Sequence, residues 1–270
     1  MGQIMKLDGE TMIFPVVAHP VGQVKSPGAL SQIMAERDFN GMVVPVHVKP
    51  EGLAAWLEGV KVMRNCRGIV VTVPHKIACL DFCSRVSDRA RASGAVNIAI
   101  RDGDDWIGDA TDGHGYMDGI AAEGFDFAGA PALLIGAGGA GAAIAYEILA
   151  RGASGLAIHD IDVARRDSLI ARLEQRFPGK LRVGGTDPRG FALIAHATPL
   201  GMRESDPLPI DVSRLDADQF VADVVTRPAV SPLIAAARAT GCRTMPGSGM
   251  FEAQALLLAE LLMGVRHIAA

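Results

Sequence analysis

The sequence predicts an α/β protein with two domains, of which the second is a Rossmann domain that binds a dinucleotide. Short apolar runs rich in valine and isoleucine alternate with segments of helical period, a pattern typical of parallel βα units. A glycine-rich turn at 136–141 follows one of these runs and directly precedes a helix-forming segment. The chain has 270 residues, which is enough for two modest domains with separate cores.

The first half of the chain predicts a mixed sheet with helices. The apolar runs that we expect to form strands are Phe14–Ala18, Met42–Val48 and Gly68–Val73. The segments that we expect to form the helices after them are Gly28–Asp38, Glu51–Met63 and His75–Val86. The segment Ala95–Trp106 predicts a β-hairpin, because Asp102-Gly103 has the composition of a two-residue turn.

A second βα series begins after Gly129-Ala130-Pro131. Its expected strands are Ala132–Gly136, Gly155–Asp160, Leu181–Val183, Ala192–Thr198 and Phe220–Val225. Its clearest helices are expected at Ala140–Arg151 and at the leucine-rich Phe251–Val265. The pattern changes near Gly108–Asp112, so we expect a first domain at 1–108 and a Rossmann domain at 109–245.

The turn Gly136-Ala137-Gly138-Gly139-Ala140-Gly141 fits the G-x-G-x-x-G pattern of dinucleotide-binding folds. Glycine permits the tight turn and lets the backbone approach a pyrophosphate, while the following helix presents unpaired N–H groups to that anion. Asp160 ends the next apolar strand, at about the spacing expected for an acid that binds the ribose. For the glycines alone, a purely structural turn between strand and helix is the alternative interpretation.

Asp160 also bears on the choice of cofactor. A carboxylate at this position can accept hydrogen bonds from both ribose hydroxyls but repels a 2′-phosphate, so the sequence favours NAD over NADP. Arg165 and Arg166 follow closely, and either could compensate for the carboxylate and permit NADP binding. We expect them instead to form an exposed basic patch on the next helix.

The composition excludes several classes of protein. The formal net charge of −4 gives no electrostatic reason to expect nucleic acid or an anionic membrane as a partner. No apolar run approaches the roughly 18–20 residues of a membrane span, and we expect no secretory signal. The four cysteines, Cys66, Cys79, Cys83 and Cys242, form no metal-binding pattern. We therefore expect free thiols, no metal and a cytoplasmic location.

Eight short segments stand in order along nearly the whole chain. They are Lys25-Ser26-Pro27, Val71-Thr72-Val73-Pro74-His75-Lys76, Gly94-Ala95-Val96-Asn97, Thr111-Asp112-Gly113-His114-Gly115, Gly136–Ala140, Ala197–Met202, Asp223-Val224-Val225 with Pro228, and Met250 with Gln254. In this order they resemble the motifs of the shikimate/quinate dehydrogenase family, of which VTVPHK is the hallmark. Chance agreement across eight ordered segments is negligible.

The resemblance implies an NAD(P)-dependent dehydrogenase that acts on a hydroxyl or ketone of a small cyclic hydroxy acid. It implies an N-terminal α/β substrate-binding domain that faces the Rossmann domain across a cleft, with 246–270 returning to the first domain. Lys76 and Asp112 take the catalytic positions that flank the reacting hydroxyl. The residues implied in substrate binding are Ser26, Thr72, Asn97 and Gln254. The residues implied in cofactor binding are Gly136, Ala137, Gly138, Gly139, Ala140, Asp160, Thr198, Met202 and Gly247.

Three substitutions depart from the family's substrate motifs. Val24 replaces the first serine of SKSP, Ala110 replaces the asparagine before TDG, and Thr226 replaces the tyrosine after DVV. A lost buried hydrogen bond to a charged group costs about 1.5–3 kcal/mol, or roughly ten- to a hundredfold in affinity. We therefore expect a different ring acid as the substrate and poor turnover of shikimate.

Two alternatives remain open at this stage. An ordinary shikimate 5-dehydrogenase that uses NADP would have to tolerate the three substitutions, and a ligand-sensing module could keep the fold without catalysis. Lys76 and Asp112 favour an enzyme, because a sensor does not need an acid/base pair directed at a hydroxyl. The sequence leaves open the direction of the reaction and the choice between a monomer and a homodimer.

Overall fold

The computed structural model describes residues 7–22, 24–126 and 128–268. The chain divides into two compact α/β units, one formed by 1–111 with 255–270 and the other by 112–254. Each unit contains a six-stranded sheet, so the predicted fold class is confirmed. In the described ranges, no helix is long and apolar enough to cross a membrane, and no group of three or more ligating side chains could hold a metal ion.

The sheet of the first unit is mixed. Its strands are β1 (Met12–Ala18), β2 (Gly41–His47), β3 (Gly68–Val71), β4 (Arg85–Val86), β5 (Ile98–Asp102) and β6 (Asp105–Asp109), in the spatial order β2-β1-β3-β5-β6-β4. Strand β1 pairs in parallel with β2 and β3, whereas β3 with β5 and β5 with β6 are antiparallel. The β5–β6 turn contains Gly103 at φ +64°, a conformation that glycine adopts without strain. This pair confirms the predicted hairpin, although β6 continues beyond Trp106.

The first unit has a core of apolar side chains from its sheet and from two of its helices. The helices that lie wholly within it are α1 (Ser26–Glu36), α2 (Leu53–Val62) and α3 (Asp88–Ser93). Phe14 of β1 and Leu30 and Met34 of α1 are fully buried and pack with Leu258 and Leu262 of the last helix, α8 (Gly247–Leu262). Residues 255–262 therefore complete the core of this unit.

The helix expected at His75–Val86 is wrong. The chain there forms a turn, a short 3₁₀ segment at Ala78–Leu80 and then strand β4. Tertiary contacts explain the difference, because the ring of Phe82 packs on that of Trp106 and the N–H of Ser84 donates to the carbonyl of Trp106. These contacts hold the segment at the edge of the sheet, and they outweigh its helical periodicity.

The second unit has the strand order of a Rossmann fold. Its strands are β7 (Pro131–Ile135), β8 (Gly155–His159), β9 (Leu181–Val183), β10 (Leu193–His196), β11 (Phe220–Asp223) and β12 (Arg243–Met245). They are all parallel and lie in the order β9-β8-β7-β10-β11-β12. The order reverses between β7 and β10, which is where dinucleotides bind in such sheets.

Four helices belong to the second unit alone, and two of them were not predicted. They are α4 (Asp112–Ala122), α5 (Gly139–Ala150), α6 (Val163–Glu174) and α7 (Pro232–Thr240). Helix α4 contains three glycines, which lower intrinsic helix propensity. Those glycines instead permit close packing: a Cβ on Gly113 would clash with the carbonyl of Ala143 in α5. The signals for α7 are local, since Ser231 caps its start and Gly241 ends it in the left-handed conformation.

Candidate functional site

The three motif glycines of the turn after β7 have three different structural roles. Gly136 adopts φ +107°, which only glycine tolerates well. A Cβ on Gly141 would clash with the carbonyl of Gly136, so this glycine allows α5 to lie close to the strand. A Cβ on Gly138 would meet no described atom within 4 Å, so the backbone is open to a ligand there. These are the roles that a pyrophosphate-binding turn requires.

Helix α5 begins directly at this turn. Its N-cap is Gly138, which has no side chain with which to cap the first N–H groups. Such a helix start combines unpaired donors with the positive end of the helix dipole, and it suits an anion. The residues present therefore fit the pyrophosphate of a nicotinamide dinucleotide.

Asp160 follows β8 and is tied to the glycine turn. Its Oδ2 accepts a hydrogen bond from the N–H of Ala137 over 2.7 Å, and its Oδ1 accepts one from the N–H of Asp162 over 2.8 Å. Burial acts to raise the pKa of Asp160, but the hydrogen bonds from Arg165, Ala137 and Asp162 outweigh it and lower that pKa. An ionised carboxylate is thus held at the position expected for a ribose acceptor.

Arg165 and Arg166 lie on helix α6, the next helix, as expected, and Arg165 is exposed, but both side chains are ion-paired. The guanidinium of Arg165 lies 2.8 Å from Oδ1 of Asp160 and 3.9 Å from Oδ2 of Asp162. The guanidinium of Arg166 lies 2.8 Å from Asp167, and its side chain is only 15% exposed. The sequence could not show that the carboxylates beside these arginines would engage them.

Thr198 lies against the glycine turn at the point where the strand order reverses. It follows β10, and a Cβ on Gly136 would lie 2.7 Å from its Cγ2. Its hydroxyl oxygen accepts a hydrogen bond from the N–H of Leu200 over 3.2 Å. Met202, four residues further along, is exposed, so the loop presents an apolar side chain near the switch point.

In the first unit, backbone hydrogen bonds place Thr72, Lys76 and Asn97 on neighbouring segments. The carbonyl of Lys76 accepts from the N–H of Val96, and the carbonyl of Asn97 accepts from the N–H of Val71. The buried amide of Asn97 bonds at both ends to Thr111, which fixes its orientation: Nδ2 donates to Oγ1 over 2.9 Å, and Oδ1 accepts from the N–H over 2.8 Å. Thr72 and Lys76 are half-buried.

The three positions that depart from the family's motifs are buried or partly buried. Ser26 is the first residue of α1, while Val24 packs against the apolar core of the first unit. Ala110 is buried, and Thr226 is half-buried after β11. Neither Val24 nor Ala110 carries a polar group that could take the place of the family's serine or asparagine.

Asp112 and Gln254 meet within the second unit. Asp112 is the first residue of α4 and is 5% exposed, and its Oδ1 accepts a hydrogen bond from Nε2 of Gln254 over 3.0 Å. Gly115 permits this approach, because a Cβ there would lie 2.5 Å from Cβ of Gln254. Gly247, which begins α8, packs so closely on the carbonyl of Val225 that a Cβ would clash. Gly247 thus has a packing role besides any contact with a cofactor.

The sequence analysis missed a buried pair, His196 and Asp223, at the ends of β10 and β11. Their side chains are fully buried, and Nδ1 of His196 lies 2.8 Å from Oδ1 of Asp223. One signal was available, since two polar residues end adjacent apolar strands whose carboxyl ends share one edge of the sheet.

The four cysteines are free thiols, as expected. Burial raises the pKa of Cys79 and of Cys83 to about 12 and that of Cys66 to about 11. Such thiols are poor nucleophiles at neutral pH and take no part in the candidate site.

Comparison with known proteins gives one consistent family. The sequence profile of the shikimate dehydrogenase substrate binding domain matches residues 16–99. The shikimate dehydrogenase (NADP(+)) of Rubrobacter xylanophilus is 35% identical over 269 residues, which are 97% of this chain and 94% of that protein. A solved shikimate dehydrogenase in complex with NADP+ is 25% identical, with a TM-score of 0.90 over 98% of this chain and 94% of that one. Quinate dehydrogenase from Corynebacterium glutamicum in complex with NAD is 25% identical, with a TM-score of 0.86 over 94% of both chains.

Proposed function

Because the chain belongs to the shikimate dehydrogenase family, we propose that it transfers a hydride between NAD and a hydroxyl of shikimate or a closely related ring acid. Its general reaction is that of a nicotinamide-dependent dehydrogenase acting on a CH–OH group. The observation that carries the proposal is the glycine turn of the second unit, with an open backbone at Gly138 and the carboxylate of Asp160 bonded to Ala137.

The preference for NAD rests on the charges around Asp160. The 2′-oxygen of the ribose is expected to face this carboxylate, and a 2′-phosphate there would be repelled. Asp162 adds a second carboxylate, and Arg165 is already paired with both. The neighbouring Ile161 is 92% exposed and offers no positive charge. The curated relatives are named for NADP(+), whereas the similar quinate dehydrogenase was solved with NAD.

We assign Lys76 and Asp112 to the exchange of the proton on the reacting hydroxyl. The bound cofactor supplies the hydride acceptor or donor, and the chain must supply a group for the proton. Thr72 and Asn97 are assigned to hydroxyls of the ring, with Ser26 near its carboxylate and Gln254 beside Asp112. The rigid amide of Asn97, fixed by Thr111, suits a donor that must distinguish one ring hydroxyl from another.

For the substrate, the names of the relatives favour shikimate itself over the altered ring acid that the sequence analysis expected. They also favour an enzyme over a ligand-sensing module. The loss of polar side chains at Val24 and Ala110 and the shorter polar side chain of Thr226 still favour weaker binding of shikimate than in members that keep the family's residues. Shikimate is therefore the first substrate to test, with quinate the second.

The decisive experiment measures dehydrogenase activity of the purified protein with NAD and NADP against shikimate, quinate and other cyclic hydroxy acids. Lys76→Ala is the matched inactive variant, and we expect its kcat to be lower by about two to four orders of magnitude. Its affinity for NAD should stay within about twofold of the wild-type value. Turnover of none of these acids, or full activity in Lys76→Ala, would overturn the proposal.

A further inference from the structure

His196 forms a buried hydrogen-bonded chain with the residues around it. Its Nδ1 lies 2.8 Å from Oδ1 of Asp223, and its Nε2 lies 2.5 Å from Oγ1 of Thr198. Oδ1 of Asp223 also accepts from the N–H of Val225, and its Oδ2 accepts from the hydroxyl of Ser231. Every polar atom of the imidazole and of the carboxylate is therefore partnered.

The partners assign the direction of each hydrogen bond. A carboxylate can only accept, so Nδ1 of His196 carries the proton that is donated to Asp223. The N–H of Leu200 already donates to Oγ1 of Thr198. The hydroxyl proton of Thr198 is then directed at the lone pair of Nε2, and the order of donation is Leu200, Thr198, His196, Asp223.

Thr198 differs from the other members of this chain because it lies at the candidate cofactor site. His196 and Asp223 are fully buried, whereas Thr198 is half-buried. Thr198 lies in the loop that follows β10, and its methyl carbon would lie 2.7 Å from a Cβ on Gly136 of the glycine turn. The buried His196 therefore holds Thr198, and Thr198 in turn packs against the glycine turn.

We propose that His196 is a positioning residue for the dinucleotide, which it affects by holding Thr198 and the 198–202 loop against the glycine turn. This inference rests on the proposed function, because its readout is affinity for the cofactor. A histidine that merely fills the core would contribute to stability and leave affinity unchanged.

Substitutions separate the hydrogen bond of His196 to Asp223 from its hydrogen bond to Thr198. In His196→Asn the amide can still donate to Asp223, but it has no atom that reaches Thr198. In His196→Gln the longer amide places an acceptor near the position of Nε2 and can restore the bond to Thr198. Thr198→Val removes the hydroxyl from the other side and keeps the volume. Thr240→Val is the matched control, because it removes an exposed hydroxyl that bonds within α7.

We expect His196→Asn and Thr198→Val each to raise Kd and KM for NAD by about five- to twentyfold, the effect of one lost hydrogen bond. In His196→Asn, the value of kcat at saturating cofactor should change by less than about threefold. His196→Gln should recover most of the affinity, and the double variant His196→Asn with Thr198→Val should lose little more than either single variant. Titration calorimetry, steady-state kinetics and thermal unfolding of the full chain give these quantities.

Several outcomes would overturn the inference. NAD affinity in His196→Asn or Thr198→Val equal to that of Thr240→Val would give His196 a structural role alone. Fully additive losses in the double variant would show that His196 does not act through Thr198. If His196→Asn does not fold, wild-type affinity for NAD in Thr198→Val would still overturn the inference, because the bond from His196 to Thr198 is then absent. A wild-type protein that binds neither NAD nor NADP would overturn the proposed function as well, whereas normal binding in every variant would overturn this inference only.

Discussion

The side-chain amide of Gln254 donates a hydrogen bond to Oδ1 of Asp112 over 3.0 Å, and both groups are buried. We predict that Gln254→Glu lowers kcat/KM by about tenfold or more relative to wild type and more than Gln254→Ala does. An ionised glutamate cannot donate this bond, and it places a second negative charge beside the carboxylate. Steady-state kinetics on the three proteins provide the test, with thermal unfolding to confirm the fold. Wild-type activity in Gln254→Glu would separate this hydrogen bond from catalysis.

The choice of cofactor is predicted to depend on Asp160. We expect the wild-type protein to bind NAD at least about tenfold more tightly than NADP, and Asp160→Ser to abolish this preference. The substitution removes a ribose acceptor and releases the guanidinium of Arg165, which could then pair with a 2′-phosphate.

Titration calorimetry with both cofactors measures these affinities. Asp187→Ser is the control, because it removes a carboxylate of the second unit without releasing Arg165 or Arg166. Equal affinity of the wild-type protein for NAD and NADP would mean that Arg165 or Arg166 controls the site. The protein would then follow the relatives that are named for NADP(+).

The substituted substrate positions lead to a prediction about shikimate. We expect Val24→Ser combined with Thr226→Tyr to raise kcat/KM for shikimate by about tenfold, because the first change adds a hydroxyl and the second carries the hydroxyl on a longer side chain. Val24→Ala with Thr226→Phe is the matched control, since it makes comparable changes of size without adding a hydroxyl. If the wild-type protein already oxidises shikimate as efficiently as the double variant, the expected change of specificity is wrong and an ordinary shikimate dehydrogenase stands.

Glu147 of α5 is predicted to stabilise the second unit in a pH-dependent way. Burial acts to raise the pKa of this nearly buried carboxyl, but the hydrogen bonds and charges of His114 and Arg151 outweigh it and lower that pKa. A folded-state pKa below the unfolded value means that the carboxylate stabilises the fold above about pH 4.3. This contribution disappears as the pH falls through the lower, folded-state pKa.

We therefore expect Glu147→Gln to lower the free energy of unfolding by about 1–3 kcal/mol at pH 7. The difference from wild type should shrink in acid, because the wild-type carboxyl is then protonated and as uncharged as the glutamine amide. Urea unfolding of both proteins at pH 7 and in acid measures this difference in the free energy of unfolding. Asp167→Asn is the control, since an exposed ion pair contributes about 0–1 kcal/mol. A loss in Glu147→Gln that is equally large in acid would contradict the proposed electrostatic origin.

The sequence predicted the parts of the fold that depend on local pattern. The strands around Gly136 and Asp160 and helix α5 follow from apolar runs bounded by glycine, and they were placed correctly to within about two residues. Helix α4 was not predicted, because its glycines are explained by contacts with residues distant in sequence, Gly113 with Ala143 of α5 and Gly115 with Gln254. The segment after Lys76 was wrongly predicted as a helix, because its structure is decided by contacts with Trp106 that the local pattern does not show.

The same distinction between local pattern and tertiary contact applies to the candidate site. The order of the motifs predicted Lys76, Asn97 and Asp112 as site residues, which their residue types alone would not have done. The pairing of Arg165 with Asp160 and the chain from Thr198 to Asp223 depend on which atoms meet across strands and turns. A single sequence gives the residues but not these partners.

Helix α8 has a consequence for the order in which the protein can fold. Its first half, up to Gln254, belongs to the second unit, and its second half, from Ala255, belongs to the first. During synthesis on the ribosome, strands β1 to β6 emerge early but lack Leu258 and Leu262, which fill their core. The second unit can be complete while the first still exposes apolar surface, so the part of the chain made first is the part that finishes last.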